Sequence, residues 1–149
     1  YESVSHLDDE DKKLALAAIE AMKSAYAPYS GFNVGAAVMF EDGEIIQGSN
    51  QENAAYPSGL CAERTALFYA SARRPDKPMT AIAIAAGQNG ELCNSPATPC
   101  GACRQVMLET EHRYGTPMQV ILYGAEECVI FDSAADLLPL CFVAENLER

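Results

Sequence analysis

The sequence predicts an α/β fold, a three-layer α/β/α sandwich with helices on both faces of a mixed sheet of about five strands. Two observations lead to this prediction: helical and strand-like patterns alternate along the chain, and the strand-like runs are short and apolar. The 149 residues show no internal repeat, linker or low-complexity segment. We therefore expect one domain, residues 1–149, with its own hydrophobic core.

The first predicted helix spans residues 7–26. Asp8 is its expected N-cap, and acidic residues fill the first turn near the positive end of the helix dipole. One apolar stripe follows the helical period: Leu14, Ala18, Met22 and Ala25. The helix is therefore expected to pack by one face and to end at the Pro-containing loop 27–31.

A hairpin of two strands, 34–40 and 45–49, is predicted next. Asp42-Gly43 between the two strands is a strong hairpin signal. Residues 50–59 are then mostly polar and include Pro and Gly, so they are expected to form a loop. The position of this loop directly before a cysteine motif makes it a candidate for ligand binding.

The second half of the chain continues the alternation. A helix is predicted from Ala62 to about residues 73–75, where cations lie near its negative end. Small residues on this helix permit close packing: Ala66, Ala70 and Ala72. The remaining predicted elements are a buried strand at 80–86, a helix at 101–114 closed by Gly115, strands at 118–123 and 128–131, and a short helix at 133–138 capped by Ser133.

The composition excludes some classes of partner. The net charge of −11 at pH 7 opposes a nucleic-acid partner, whose backbone requires a basic track on the protein. No apolar run is long enough to cross a bilayer, and no signal-peptide pattern is visible at the start. We therefore expect no membrane partner and a cytoplasmic localisation.

Cysteines at two places in the chain predict a metal site. Cys100 and Cys103 have the C-x-x-C spacing that lets two sulfurs reach one ion from a single turn, and Cys61 offers a third sulfur. Soft, tetrahedral ligation favours Zn²⁺, and three protein ligands leave the fourth position open for water. Glu63, two residues from a ligand, is a candidate for moving protons to and from that water.

Other interpretations of these residues remain open at this point. A structural zinc would be closed by a fourth ligand, for which Cys93, His6 and His112 are candidates. A redox C-x-x-C pair is a second alternative, and neither of these two explains Glu63. A disulfide framework among the six cysteines suits short secreted chains. Glu63 itself could be only a helix-start carboxylate that the dipole stabilises.

The order Cys-Ala-Glu at 61–63, followed by Pro-Cys-x-x-Cys at 99–103, resembles the zinc nucleobase deaminases, in which the Glu does not bind the metal. The chain as a whole resembles the cytidine deaminase family in its small homotetrameric form with three cysteines. The further matches are Pro28-Tyr29-Ser30, Phe32-Asn33-Val34-Gly35-Ala36 and Asn50-Gln51-Glu52-Asn53-Ala54-Ala55-Tyr56. The resemblance implies the same sandwich fold, a zinc ion, and a homotetramer with shared active sites.

The resemblance also implies a reaction, the hydrolysis of cytidine and deoxycytidine to uridine and deoxyuridine with release of ammonia, in pyrimidine salvage. Water activated by zinc attacks C4 of the ring, while Glu63 carries a proton to N3 and later assists the leaving amine. Three thiolates would give the zinc site a formal charge of about −1, which the helix starts and Arg64 would offset. The resemblance places Arg64, and also Arg104, beside the thiolates; surface salt bridges are the alternative.

Contacts to a nucleoside substrate are likewise implied by the resemblance. Asn50 and Glu52, an amide and a carboxylate two residues apart in an extended segment, are assigned to the sugar hydroxyls, especially the 3′-hydroxyl. A polar loop that satisfies its own backbone would explain either residue alone. The residues assigned to the base are Phe32 and the backbone of Ala54 and Ala62. Tyr56 and Phe142 match positions that reach across from neighbouring subunits, with Phe142 stacking near the base. Core packing is the alternative for Phe32 and Phe142.

Three other functions share part of the pattern. A deaminase of a cytosine-containing antibiotic of the blasticidin type need not keep the Asn-x-Glu-Asn found at 50–53, so this stretch favours a plain nucleoside. A polynucleotide-editing deaminase is opposed by the net charge, which also favours neutral nucleosides over anionic nucleotides. A zinc-stabilised interaction module would have a closed four-ligand site and no turnover.

Overall fold

A six-stranded mixed sheet lies at the centre of the structure, a computed structural model that describes residues 7–147. Its strands are β1 (Phe32–Phe40), β2 (Ile45–Ser49), β3 (Met79–Gln88), β4 (Glu91–Leu92), β5 (Gln119–Tyr123) and β6 (Cys128–Phe131). The order across the sheet is β2-β1-β3-β5-β6, and the short β4 pairs with the end of β3. Strands β3 and β5 run parallel, whereas the other pairs are antiparallel.

Helices cover both faces of this sheet: α1 (Asp9–Ala21), α2 (Ala62–Arg73) and α3 (Gly101–Tyr114). On one face, Leu14 of α1 belongs to the same buried cluster as Ala37 of β1. On the other face, Ala66 of α2 and Met107 of α3 share a cluster with Val38 of β1. Neighbouring residues of β1 thus point to opposite helical layers, and the predicted three-layer sandwich is confirmed. None of the helices in residues 7–147 is both long and apolar enough to span a membrane.

The start of the first helix is as predicted, but its end is not. Asp8 caps the helix, because Asp11 N donates to Asp8 Oδ1 at 2.8 Å. The helix predicted over residues 7–26 ends at Ala21 and is followed by a 3₁₀ turn at Met22–Ser24. Beyond that turn, the backbone of Tyr26 pairs with the segment 50–52 instead of continuing the helix. The two-residue strand β4 was also not predicted, because two residues show no periodicity.

Helix α2 lies directly on strand β2 at Gly48. A Cβ atom at Gly48 would lie 2.5 Å from Ala66 N and 2.9 Å from Ala66 Cα. Any side chain larger than hydrogen would therefore push the helix away from the sheet. This contact fixes the first turn of α2, which carries Glu63, at a short distance from the sheet.

Glu111, buried near the end of α3, joins three segments of the chain. Its Oε1 accepts hydrogen bonds from Met118 N and Ala134 N, each at 2.7 Å. The Ser133 hydroxyl donates to the same carboxylate at 2.9 and 3.0 Å. This carboxylate therefore joins α3 to Met118, which directly precedes β5, and to residues 133–134, which follow β6.

We expect Glu111→Ala to lower the free energy of unfolding by about 3 kcal/mol, because two buried N–H groups lose their acceptor at about 1–3 kcal/mol each. Urea unfolding followed by circular dichroism measures the change. Glu109 is exposed on the same helix, so Glu109→Ala serves as the control and should stay within about 0.5 kcal/mol of the wild type. Equal stabilities for the two variants would show that the Glu111 network is dispensable.

Candidate active site

The three predicted metal ligands lie at the starts of two helices on the same face of the sheet. Cys61 is the N-cap residue of α2, Cys100 is the N-cap residue of α3, and Cys103 lies in the first turn of α3. Unpaired backbone N–H groups and the positive end of the dipole are found at a helix start. These positions therefore stabilise negatively charged sulfur.

The three sulfur atoms are close enough to share one ion. Cys61 Sγ lies 3.7 Å from Cys100 Sγ, and Cys100 Sγ lies 3.5 Å from Cys103 Sγ. All three lie within 4.8 Å of one another, and none of the three cysteines is in a disulfide. Tetrahedral zinc with bonds of about 2.3 Å places its sulfur ligands about 3.8 Å apart. The residues present therefore fit Zn²⁺.

The cysteine cluster has three members in the part of the chain that the structure describes. No other His, Cys, Asp or Glu of residues 7–147 joins it, so Cys93 and His112 are not fourth ligands. His6, another candidate for that position, lies outside the described residues. Cys61 and Cys100 line a cavity, so the cluster is accessible to a small molecule. Three ligands beside a cavity are typical of a catalytic zinc site.

Arg64 is the cation beside the sulfurs. Its Nη2 donates to Cys61 Sγ at 3.6 Å, a contact with a sulfur of the kind expected for Arg64. The hydrogen bond from the Cys103 thiol, and then the one from Arg64, lower the pKa of Cys61 to about 5. The bond that Cys103 donates to Cys61, and then burial, raise the pKa of Cys103. Binding of a metal ion would release the remaining protons from these thiols.

Glu63, the second residue of α2, is only 5% exposed. Burial raises the pKa of its carboxyl, and the negative charge of Cys61 adds to this effect. Glu63 lines the same cavity as Cys61 and Cys100, but it does not belong to the cysteine cluster. A carboxyl in such surroundings is suited to exchanging protons with a molecule in the cavity.

The cavity has a volume of about 670 Å³, within the usual range of small-molecule sites. Its walls come from the start of β1, the loop before α2, the first turn of α2, and the loop before α3. The predicted site residues that line it are Phe32, Asn50, Glu52, Tyr56, Cys61, Ala62, Glu63, Arg64 and Cys100.

Asn50 and Glu52 line the cavity and also bind nearby backbone. Asn50 Oδ1 accepts from Val34 N, and Asn50 Nδ2 donates to Phe32 O, both at 2.8 Å. Glu52 accepts hydrogen bonds from the loop before β1, chiefly from Ser30, and these bonds lower its pKa. Each side chain keeps some unused bonding capacity, since an amide offers two N–H groups and a carboxylate about four lone-pair positions.

Arg104 holds a loop in place, and the hydrogen bonds that it donates go to backbone carbonyls. Its Nε donates to Pro99 O at 2.8 Å, and its Nη1 donates to Leu137 O at 3.2 Å. Both acceptors are backbone carbonyls, so among the described residues the hydrogen bonds of Arg104 do not include the expected one to a thiolate. Arg104 instead fixes the residue that precedes Cys100.

Ala54 and Phe142 do not line the cavity of their own chain, and Cys103 lies buried behind it. Phe142 is 58% exposed, so it is not a core residue of this chain. Its carbonyl accepts from Gln105 Nε2 at 2.8 Å, which attaches the last segment to the first half of α3. Tyr56 lines the cavity while remaining 75% exposed at its rim.

Sequence reasoning missed several residues of the cavity wall. Tyr29 and Ser30 line it, although only their place in the Pro-Tyr-Ser motif indicated that they matter. Ala97 and Thr98 line it from the loop before Cys100, where the neighbouring metal motif was the available signal. Tyr29 also contacts the ring of Tyr56 edge to face, with ring centroids 6.0 Å apart.

An α/β/α sandwich that places three cysteine sulfurs and a separate buried carboxyl beside one cavity is the arrangement of zinc-dependent nucleobase deaminases. Comparison with known families agrees, because the family described as the cytidine and deoxycytidylate deaminase zinc-binding region matches residues 8–115. The chain belongs to this family. Both the predicted family and the predicted zinc are thereby confirmed.

Individual relatives agree with this assignment. A cytidine deaminase from Halalkalibacterium halodurans is 42% identical over 132 residues, covering 87% of this chain and 92% of the relative. A cytidine deaminase from Sporosarcina psychrophila is 40% identical over 136 residues, covering 91% and 93%. The crystal structure of cytidine deaminase from Burkholderia pseudomallei matches with a TM-score of 0.75 and 41% identity, covering 88% of this chain and 98% of that one. A Mycobacterium tuberculosis cytidine deaminase structure matches with a TM-score of 0.70 and 32% identity, covering 91% and 99%.

Proposed function

We propose that this protein hydrolyses cytidine and deoxycytidine to uridine and deoxyuridine, with release of ammonia, in pyrimidine salvage. The observation that carries the proposal is the position of Glu63, buried in the wall of a nucleoside-sized cavity beside Cys61 and Cys100 but outside the metal cluster. The family and its cytidine deaminase members support the same reaction.

Glu63 is the proposed proton carrier of the reaction. Zinc held by Cys61, Cys100 and Cys103 supplies, when bound, the Lewis acidity that makes water nucleophilic at neutral pH. Glu63 Oε accepts a proton as the water oxygen adds to C4 of the ring, and it delivers this proton to N3. The same carboxyl then moves the remaining proton of the added water from the oxygen on C4 to the exocyclic amine. The C4–N bond breaks, and ammonia leaves. One water enters and one ammonia leaves, so no oxidant or reductant is consumed.

The rest of the cavity orients the nucleoside. We assign the sugar hydroxyls to Asn50 and Glu52, whose remaining N–H and lone-pair positions are available to a ligand. Phe32 packs against the base, and the backbone of Ala62 forms a hydrogen bond with the base. Arg64 stays with Cys61 and offsets the negative charge of three thiolates.

The charges around the cavity favour a neutral substrate. Glu52 and Glu63 are acidic, and Arg64 is the one cation among the described residues that line the cavity. Because Arg64 already bonds Cys61, a 5′-phosphate would meet no free cation. The net charge of −11 acts in the same direction.

We expect kcat/KM for cytidine to exceed that for CMP by at least about 100-fold, since placing like charges together is unfavourable by several kcal/mol. Ammonia release from cytidine, deoxycytidine, CMP and blasticidin S, measured side by side with and without a chelator, tests this expectation and the proposed reaction together. Faster turnover of CMP than of cytidine would overturn the neutral-substrate argument. Turnover of blasticidin S alone would indicate an antibiotic deaminase.

We further propose a cytoplasmic homotetramer in which neighbouring subunits complete each site with Tyr56 and Phe142. Both aromatic side chains are largely exposed in the single chain, and so is Leu140, which is 93% exposed. A contiguous patch of such side chains would be typical of an interface. Free thiols as metal ligands suit a compartment that keeps cysteines reduced. Sedimentation velocity measures the assembly directly, and a monomer would contradict the shared site.

A further inference from the structure

The hydroxyl of Ser30 connects two parts of the cavity wall. Ser30 lies in the loop before β1, and its Oγ donates to Glu52 Oε1 across 22 residues of sequence. The same oxygen accepts a hydrogen bond from Phe32 N at 3.0 Å. One side chain thus bonds the carboxylate assigned to the sugar and the backbone of the residue assigned to the base. Ser30 itself is assigned neither to the sugar nor to the base.

The loop of Ser30 supplies all the hydrogen bonds that the structure gives to the Glu52 carboxylate. Tyr29 N and Ser30 N donate to Oε2 at 2.8 and 3.3 Å, while the Ser30 hydroxyl donates to Oε1. The backbone is paired as well, since Glu52 N donates to Tyr26 O at 2.8 Å. These donors favour the ionised carboxylate, in agreement with the lowered pKa of Glu52.

The two carboxylate oxygens of Glu52 are held differently. Oε2 is bound by two backbone N–H groups that no side-chain substitution removes. Oε1 is bound by the Ser30 hydroxyl, which is its one side-chain partner among the described residues. Without that hydroxyl, Oε1 would lose this partner, and only the two backbone bonds to Oε2 would oppose rotation about the terminal torsion, which has broad minima. The Ser30 hydroxyl therefore sets the direction of the lone pairs left for a ligand.

We propose that Ser30 is a positioning residue for sugar recognition, which holds the Glu52 carboxylate in the orientation that accepts the 3′-hydroxyl of the substrate. This inference rests on the proposed role of Glu52 in binding the sugar. It predicts that Ser30 acts on the choice between substrates with and without that hydroxyl, and not on the chemical step at the ring.

The test compares cytidine with 3′-deoxycytidine in the zinc-loaded enzyme. The wild type should favour cytidine in kcat/KM by about tenfold or more, as expected for a hydrogen bond to a charged group. In Ser30→Ala, KM for cytidine should rise by about tenfold while kcat and zinc content stay near the wild-type values, so the preference is lost. Ser30→Thr, which keeps a hydroxyl, should retain most of the preference.

Two further variants separate positioning from a general effect on the loop. In a Glu52→Ala background, Ser30→Ala should change the preference no further, because the two residues act through one contact. Ser24→Ala is the matched control, since Ser24 lies in the preceding turn, bonds Ala21 O and lies beside Ser49, and does not line the cavity. It should leave both substrates unaffected.

The failures are distinguishable. A wild type that does not deaminate cytidine, or does not distinguish it from 3′-deoxycytidine, overturns the proposed role of the site and this inference with it. A wild type that distinguishes them, together with a Ser30→Ala variant that keeps the preference, overturns the inference alone. Equal losses on both substrates, or loss of zinc, would show that Ser30 only supports the fold and would also overturn it.

Discussion

Glu63→Gln is expected to retain zinc and to lower kcat for cytidine by at least about 10³-fold, because a positioned general acid and base contributes about 10²–10⁴-fold and Glu63 serves several proton transfers. Glutamine has nearly the same shape as glutamate, so the buried wall of the cavity should remain packed. It cannot carry a proton between water, N3 and the leaving amine. The measurement is kcat for cytidine at saturating substrate, with the zinc content of the same sample determined by atomic absorption.

The control for this prediction is Glu109→Gln, which makes the same chemical change on the exposed surface of α3. It should have wild-type kcat and wild-type zinc content. Retained turnover in Glu63→Gln would remove Glu63 from the mechanism. Loss of zinc in Glu63→Gln would instead give the carboxyl a role in holding the metal, which its absence from the cysteine cluster argues against.

The cysteine cluster could be predicted from sequence because local rules determine its geometry. Cys100 and Cys103 are one turn apart at a helix start, and Cys61 directly precedes the other helix on the same face of the sheet. The C-x-x-C spacing indicated two of the ligands, and the resemblance to the zinc deaminases added Cys61 and the separate carboxyl of Glu63. The three-layer fold was predictable for a similar reason, since the apolar periods of helices and strands differ.

Contacts between distant loops could not be predicted in the same way. The bond from Ser30 to Glu52 spans 22 residues, and the bond from Glu111 to Ala134 spans 23, with no sequence pattern that pairs them. In the sequence Glu111 looks like the exposed Glu109 of the same helix, and only the fold brings Ser133 and Ala134 against it. The roles of Asn50 and Glu52 towards a sugar stay predictions, because in the structure both residues also bind backbone.

Metal dependence gives the other large expected effect. Cys100→Ala should reduce bound zinc to well below the expected value of about one per chain and abolish deamination. The two remaining thiols cannot hold the ion as three do. Cys141→Ala provides a matched control because both cysteines are exposed and free, while only Cys100 belongs to the cluster. Zinc content after gel filtration and the rate of ammonia release measure the outcome.

Added zinc separates a weakened site from a lost one. Wild-type enzyme stripped with a chelator should regain activity when zinc is restored, whereas Cys100→Ala should regain little at the same zinc concentration. A closed structural site would behave differently: chelation would unfold the chain, and zinc-loaded wild type would not deaminate cytidine. Cys100 Sγ lies 3.7 Å from Cys61 Sγ and 3.5 Å from Cys103 Sγ. Full zinc binding and normal turnover in Cys100→Ala would show that these three sulfurs are not the metal site. The same result would remove the physical basis for water activation in this cavity.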